Sequence, residues 1–123
     1  MQAFKFTRKP VSRSKILQAV DTLVREIVVS GNILSIYLFG SASEGKQSDQ
    51  SDIDLLIVVP DVSAIKSSQK KLRHIQKLTD FPVDLVWVDR EQFERKKDIG
   101  GVCMIAFHDG QRVYPKHEGN ESD

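Results

Sequence analysis

The spacing of apolar residues along the chain distinguishes helices from strands. Apolar positions three and four residues apart predict an amphipathic helix that begins after Ser14, a candidate N-cap, and ends at the stop sequence SGN of residues 30–32. The predicted core positions of this helix are Ile16, Val20, Leu23, Val24 and Ile27. Nearly continuous apolar, β-rich runs predict strands over residues 33–39, 52–59 and 81–88.

A second amphipathic helix is predicted from residue 62 to about residue 78. Its predicted apolar positions are Val62, Ile65, Leu72, Ile75 and Leu78. Its other side is largely basic and carries Lys66, Lys70, Lys71, Arg73 and Lys77. We interpret the basic side as a solvated face, with a phosphate-binding surface as the alternative.

The segment that follows the third strand has a less regular pattern. The sequence REQFERKKD of residues 90–98 predicts a short charged helix. Residues 102–114 are compatible with a β-hairpin that turns at Asp109-Gly110. They are equally compatible with a short helix that is closed by Gly110 and followed by a small strand around Val113. The sequence leaves both alternatives open.

Length and composition predict one domain. The chain has 123 residues, of which 40% are hydrophobic and 28% charged, and we expect a core of about residues 14–114 between flexible tails at 1–13 and 115–123. The net charge of +1 argues against a protein that holds nucleic acid mainly by charge. No apolar run has the length of a membrane span, and no secretory signal is evident, so a cytoplasmic protein is expected. We interpret the single cysteine, Cys103, as a buried structural thiol.

Three aspartates occupy positions in strands that are otherwise apolar. Asp52 and Asp54 are one residue apart at the start of the second strand, so their side chains project from the same face. Two carboxylates held so close repel each other unless a divalent cation lies between them, and Mg²⁺ prefers such oxygen ligands. Asp84 interrupts the third strand and needs a partner, for which a shared metal is one candidate. Taken alone, an Asp-x-Asp pair is more often a strand-end cap or a surface pair.

The dipeptide Gly40-Ser41 directly follows the first predicted strand. A glycine at this point lets the backbone approach a phosphate, while amide N–H groups and the Ser41 hydroxyl bind the phosphate oxygens. A phosphate cradle, a pair of acids and a third acid on a neighbouring strand are together the parts of phosphoryl or nucleotidyl transfer with two metal ions.

The combined pattern resembles the DNA polymerase β nucleotidyltransferase superfamily. The motif GS-x10-DID, which begins at Gly40, is preceded by IYLF and followed by LLIVV, and it is similar to the signature of that superfamily. The chain length and the position of Asp84 resemble the minimal nucleotidyltransferase (MNT) branch. The resemblance extends over about residues 16–114 and implies an α/β (α+β) fold in which a small mixed β-sheet is flanked by helices.

The resemblance also implies a role for each residue of the motif. Asp52 and Asp54 would bind two Mg²⁺ ions, and Asp84 would complete one metal site and help to activate the attacking hydroxyl. The residues that would bind the nucleotide, which we expect to be ATP or another nucleoside triphosphate, are Gly40, Ser41, Gly45 and Ser51. Glu44 stands where many members carry a basic residue, which would weaken triphosphate binding unless Glu44 faces solvent or Lys46 compensates.

Three functions are compatible with these features. We favour the function that the resemblance to the MNT branch implies, an active enzyme that transfers AMP from ATP to a helical HEPN-type partner protein, as the antitoxin of a toxin–antitoxin pair. The small size of the chain favours an acceptor on another protein, and the three mutually repelling acids favour an enzyme over a pure binder. The first alternative is a binding module that neutralises a partner by contact alone. The second is a transferase that acts on a small molecule or an RNA 3′ end. Association into a homo-oligomer is left open, and no membrane or nucleic-acid partner is expected.

Overall fold

The computed structural model describes residues 13–40, 43 and 52–116. The described elements, in chain order, are α1 (Arg13–Val29), β1 (Ser35–Phe39), β2 (Ile53–Val59), α2 (Val62–Lys71), a 3₁₀ helix (Ile75–Leu78), β3 (Val83–Asp89), α3 (Arg90–Lys96), α4 (Gly101–Met104), a π-helical turn (Ile105–Asp109) and β4 (Gln111–Tyr114). Apart from Arg13, Pro115 and Lys116, the predicted tails lie outside the described residues. No helix in the described ranges is both long and apolar enough to cross a membrane.

The strands form a four-stranded mixed sheet in the order β3-β2-β1-β4. β1 is antiparallel to both of its neighbours, β2 and β4. β2 and β3 are parallel, and the connection between them runs through α2 and the 3₁₀ helix, as a parallel pair requires a crossover. The predicted fold class, a small mixed sheet flanked by helices, is confirmed.

One face of the sheet is covered by α1, α2 and the 3₁₀ helix. All five predicted core positions of α1 are buried there. The β2 residues that point to this face are Ile53, Leu55, Ile57 and Val59, each 0% exposed. The helix begins at Arg13, so the prediction of Ser14 as its N-cap was wrong, because Ser14 already lies within the first helical turn.

The opposite face of the sheet is covered by α3, α4 and the π-helical turn. The buried residues on this side are Tyr37, Leu56, Val58, Val88, Phe93, Cys103 and Ala106. The intervening β2 residues Leu56 and Val58 point this way because strand side chains alternate. Cys103 is buried, as predicted, and burial raises the pKa of its thiol.

The second predicted helix is shorter than its sequence pattern suggested. α2 ends at Lys71, and the chain continues through tighter turns in which Leu72 N–H donates to the Gln69 carbonyl at 3.2 Å and Lys77 N–H donates to the His74 carbonyl at 2.9 Å. These bonds span three residues and not four, so they replace the α-helix by a 3₁₀ helix. The basic residues of this segment are exposed, as predicted.

Val62 is 59% exposed, so its prediction as a core residue was wrong. It is the first residue of α2 and follows the exposed N-cap Asp61, whose carboxylate accepts from Ala64 N–H at 3.1 Å. The helical period is correct, but the first turn lies at the solvent-exposed end of the helix.

The C-terminal segment adopts the second of its two predicted alternatives, a helix followed by a strand. Gly110 ends the helical segment, and its N–H donates to the Ala106 carbonyl at 3.2 Å. A Cβ atom at this position would lie only 2.6 Å from the carbonyl oxygen of Leu38 in β1. A glycine is therefore required where the chain passes from the π-helical turn into β4.

Two valine-to-alanine substitutions test the distinction between core and surface. We expect Val59→Ala to lower the free energy of unfolding by about 2 kcal/mol, because it removes two buried carbon groups and leaves a cavity. Val62→Ala should change the same quantity by less than about 0.5 kcal/mol, because the side chain is already exposed and alanine favours a helix. Urea denaturation of both variants measures this, and equal losses would contradict the observed burial.

Candidate active site

The parallel pairing of β2 with β3 brings two of the predicted site residues side by side. Asp54 lies directly opposite Asp84 in the register of the two strands, and neighbouring strands are about 4.8 Å apart. Asp54 projects from the same face as Leu56 and Val58, on the side of α3 and α4. Asp52 lies one residue before β2. The three aspartates therefore lie near one another at the end of the sheet where β2 and β3 begin.

The pKa of Asp54 reflects this arrangement. Burial raises the pKa of its carboxyl above the ordinary value of 3.8, and the nearby charges of Asp84 and Asp52 raise it further. Asp54 is partly buried, whereas Asp52 and Asp84 are exposed. The site is thus a cluster of carboxylates with an unfavourable mutual repulsion.

Gly40 lies against the same cluster from the end of β1. Its φ of 80° belongs to the left-handed region that favours glycine. A Cβ atom placed on Gly40 would overlap the Oδ2 atom of Asp54. Both the backbone conformation and the nearby carboxylate therefore disfavour a side chain here, and the Gly40 backbone directly borders a catalytic candidate.

Between Gly40 and Asp52, the structure describes only Ser43. The Ser43 N–H and the Ser43 hydroxyl both donate to the Gly40 carbonyl, at 3.1 and 2.9 Å. The other predicted nucleotide-binding residues, Ser41, Gly45 and Ser51, lie outside the described residues, as do Glu44 and Lys46. Their assigned roles stay predictions.

Contacts at the entry to β3 were not predicted from the sequence. Ile53, which lies between the two aspartates of the motif, donates its N–H to the Pro82 carbonyl at 2.7 Å. On the other side of this segment, the side-chain amide of Gln76 donates to the Phe81 carbonyl at 2.8 Å and accepts from Val83 N–H at 2.9 Å. No sequence pattern indicated Gln76, because its position depends on the 3₁₀ helix.

The donor atoms of the cluster fit a hard divalent cation, although the described side chains do not form a ready-made cage. Among the residues that the structure describes, no group of three or more His, Cys, Asp or Glu side chains converges closely enough to hold a metal ion. The carboxylates of Asp52, Asp54 and Asp84 are nevertheless oxygen ligands of the kind that Mg²⁺ binds together with water and phosphate. A cation would also offset the repulsion that raises the pKa of Asp54.

The chain matches a family model for the nucleotidyltransferase domain over residues 13–113. Because this match covers most of the sequence, the chain belongs to the nucleotidyltransferase domain family, and the protein is an enzyme of the nucleotidyltransferase class. The predicted resemblance to this superfamily is confirmed. Among proteins with curated descriptions, none matches the chain.

Two solved structures are similar to the protein. A Sulfolobus solfataricus protein assigned as a nucleotidyltransferase superposes with a TM-score of 0.51 and 26% identity, over 70% of this chain and 78% of that chain. A mutant of the MntA-HpeT toxin–antitoxin pair superposes with a TM-score of 0.52 and 21% identity, over 90% of this chain and 78% of that chain. At this identity, the second similarity shows the fold alone.

Alanine at two glycine positions tests the close approach of Gly40 to Asp54. Gly101→Ala should lower the free energy of unfolding by about 1–2 kcal/mol, because Gly101 also has a positive φ but has open space around it. Gly40→Ala should lower the free energy of unfolding by a larger amount, because the alanine would have the same backbone strain and would also overlap the Asp54 carboxylate. Urea denaturation compares the two variants. Equal losses would mean that the carboxylate does not occupy this space.

Replacement of Asp54 tests the electrostatics of the cluster. In metal-free protein at neutral pH, Asp54→Asn should raise the free energy of unfolding. Folding raises the pKa of the Asp54 carboxyl. Such a group stabilises the folded protein at pH values below the pKa that the group has in the unfolded chain. This stabilisation is lost as the pH rises through the pKa that the group has in the folded protein. The advantage of the variant should therefore disappear as the pH falls below the ordinary pKa of aspartate.

Asp61→Asn provides a control of opposite sign for this pH series. Hydrogen bonds from Ser63 and Ala64 lower the pKa of Asp61, so removal of its charge should destabilise the protein at neutral pH and have no effect at low pH. Urea denaturation from pH 3 to pH 8 measures both variants. A loss of stability at neutral pH in Asp54→Asn would contradict the unfavourable burial of its charge and the repulsion from Asp84 and Asp52.

Proposed function

We propose that the protein is a Mg²⁺-dependent enzyme that transfers AMP from ATP to a hydroxyl group of a partner protein. The observation that carries this proposal is the register that sets Asp54 opposite Asp84, beside Asp52 and the Gly40 backbone. A protein that only binds a partner has no physical reason to retain three carboxylates in mutual repulsion.

The proposed reaction divides the work among these residues. Gly40 and Ser41 would bind the β and γ phosphates through backbone N–H groups and the Ser41 hydroxyl. The acceptor hydroxyl oxygen forms a bond to the α phosphorus, the bond from that phosphorus to the bridging oxygen breaks, and pyrophosphate leaves. Asp84 would accept the hydroxyl proton, since it is exposed at the edge of the sheet and so can be reached by an acceptor.

Asp52, Asp54 and Asp84 would hold the two Mg²⁺ ions. When bound, the ions supply positive charge that stabilises the phosphate oxygens during transfer. The protein supplies a fixed position for the carboxylates, because β2 is buried on both faces and hydrogen-bonded to strands on both sides.

A toxin is the proposed partner, and a HEPN-type helical protein is the form that we favour. The similarity in fold to a structure of the MntA-HpeT toxin–antitoxin pair supports this assignment. The mutant in that structure carries glutamate for aspartate at two positions separated by one residue, which is the spacing of Asp52 and Asp54. The antitoxin activity would consist in the modification of the partner.

Transfer of label from ATP tests the proposal. The purified protein is incubated with Mg²⁺ and α-labelled ATP, with and without the partner that co-purifies with it, and protein-bound label is measured. We expect label on the partner, and a loss of at least a hundredfold in rate in Asp52→Asn and in Asp84→Asn, because both variants remove a carboxylate of the cluster. Calorimetry should show that Asp84→Asn still binds Mg-ATP, because Asp52 and Asp54 remain.

Three results would separate this function from its alternatives. If the partner stays bound to the wild-type protein but receives no label, neutralisation by contact alone would be favoured. Label on RNA or on a small molecule, and not on protein, would favour the other class of acceptor. Label that persists in Asp52→Asn would contradict the assignment of the acidic cluster as the active site.

A further inference from the structure

The two hydrogen bonds of Gln76 lie on either side of Pro82, whose carbonyl accepts a backbone hydrogen bond from β2. Gln76 bonds to Phe81 and Val83, and the residue between them, Pro82, accepts the 2.7 Å hydrogen bond from Ile53. Ile53 is the residue between Asp52 and Asp54, and Asp84 follows Val83 directly. The Gln76 side chain thus holds the residues on both sides of Pro82, directly before Asp84, and the Thr79 hydroxyl adds a contact to this segment by accepting from Phe81 N–H at 3.2 Å.

The position of β3 at the edge of the described sheet explains why such a contact is needed. Backbone groups of successive strand residues point alternately to the two sides of the strand. Pro82 points its carbonyl toward β2, so Phe81 and Val83 direct their polar groups away from the sheet, where no described strand pairs with them. The Gln76 amide supplies one donor and one acceptor, as a neighbouring strand would.

The 3₁₀ helix that carries Gln76 is held in place by the core. Its neighbour Ile75 is 8% exposed and packs in the core that α1 and α2 form over the sheet. Pro82 has no N–H to donate, and beyond it β3 pairs with β2 over Val83–Asp89. The Gln76 amide thus connects a buried turn to the beginning of an edge strand, on the side of that strand away from β2.

We infer that Gln76 is a positioning residue that holds the beginning of β3, and with it Asp84, in place beside Asp54 through the hydrogen bonds to Phe81 and Val83. The inference rests on the proposed roles of these two acids, and it adds a residue that touches neither substrate nor metal. Loss of the Gln76 amide leaves Gly40, Asp52 and Asp54 in place, since they lie on β1 and β2. Loss of these hydrogen bonds frees only the beginning of β3, the strand that carries Asp84.

Gln76→Met tests this role, because methionine has a similar length but cannot replace either hydrogen bond. We expect kcat for transfer to fall by about tenfold to a hundredfold, as misplacement of a reacting group by about 1 Å commonly does. KM for ATP should stay within about twofold, because the residues proposed to bind the phosphates are not displaced. The matched control is Gln69→Met on the exposed face of α2, for which both constants should equal those of the wild type.

Amide hydrogen exchange gives a readout that does not depend on activity. In Gln76→Met, exchange of Val83 N–H should rise because its acceptor is lost, and exchange of Ile53 N–H should rise with it, by about tenfold, because its acceptor on Pro82 becomes mobile. Amides of Tyr37 and Leu38 in β1 should exchange at the wild-type rate, since a local release does not reach them.

Several outcomes would overturn the inference. It fails if Ile53 exchanges at the wild-type rate, if kcat is unchanged, or if KM rises in place of a fall in kcat. A rise in exchange throughout the sheet would show a general loss of stability and would also contradict a positioning role. If wild-type protein transfers no label but the exchange of Ile53 responds as expected, the proposed reaction fails while the role of Gln76 in holding the beginning of β3 is supported.

Discussion

The parallel pairing of β2 with β3 is the constraint on which the rest of the molecule depends. It holds two carboxylates of like charge opposite each other, an arrangement that electrostatics opposes. The opposing force comes from β2, whose side chains are buried on both faces from Leu55 to Val59. Displacement of the strand to relieve the repulsion would expose those apolar side chains to water, which costs more than the repulsion between partly solvated charges. The core therefore holds the acidic cluster together.

The order and direction of the strands bring distant parts of the sequence together at one end of the strands. β1 is antiparallel to β2, so β1 ends where β2 begins, and β3 begins at the same end because it is parallel to β2. Gly40, the Asp52–Asp54 motif and Asp84 are thereby neighbours in space. The helices cover the two faces of the sheet but not this end of the strands, where the acids lie. A small chain can therefore have both a buried apolar core and exposed carboxylates.

The sequence predicted those features that depend on local periodicity or on a motif. The core positions of α1 were correct because they follow the 3.6-residue repeat, and the three strands were correct because they are nearly continuous apolar runs. The mixed sheet was implied by the resemblance that the GS-x10-DID motif carries. The end of α2 at Lys71 was missed because no glycine or proline marks it. The C-terminal segment stayed ambiguous because the choice depends on the close approach of Gly110 to Leu38, and Gln76 was missed because its partners belong to another element.

Alternation of side chains in β3 also disfavours any pairing in which Asp84 does not lie opposite Asp54. A slip of the β2–β3 pairing by one residue would turn Asp84 to the face that α1 and α2 cover, among wholly apolar side chains. A carboxylate buried there without a partner is strongly unfavourable, and Val83 and Leu85 would at the same time lose their contacts with the core. A slipped β2–β3 pairing is therefore less stable than the observed one. The pattern of apolar residues in β3 thus favours the fold in which Asp84 lies opposite Asp54.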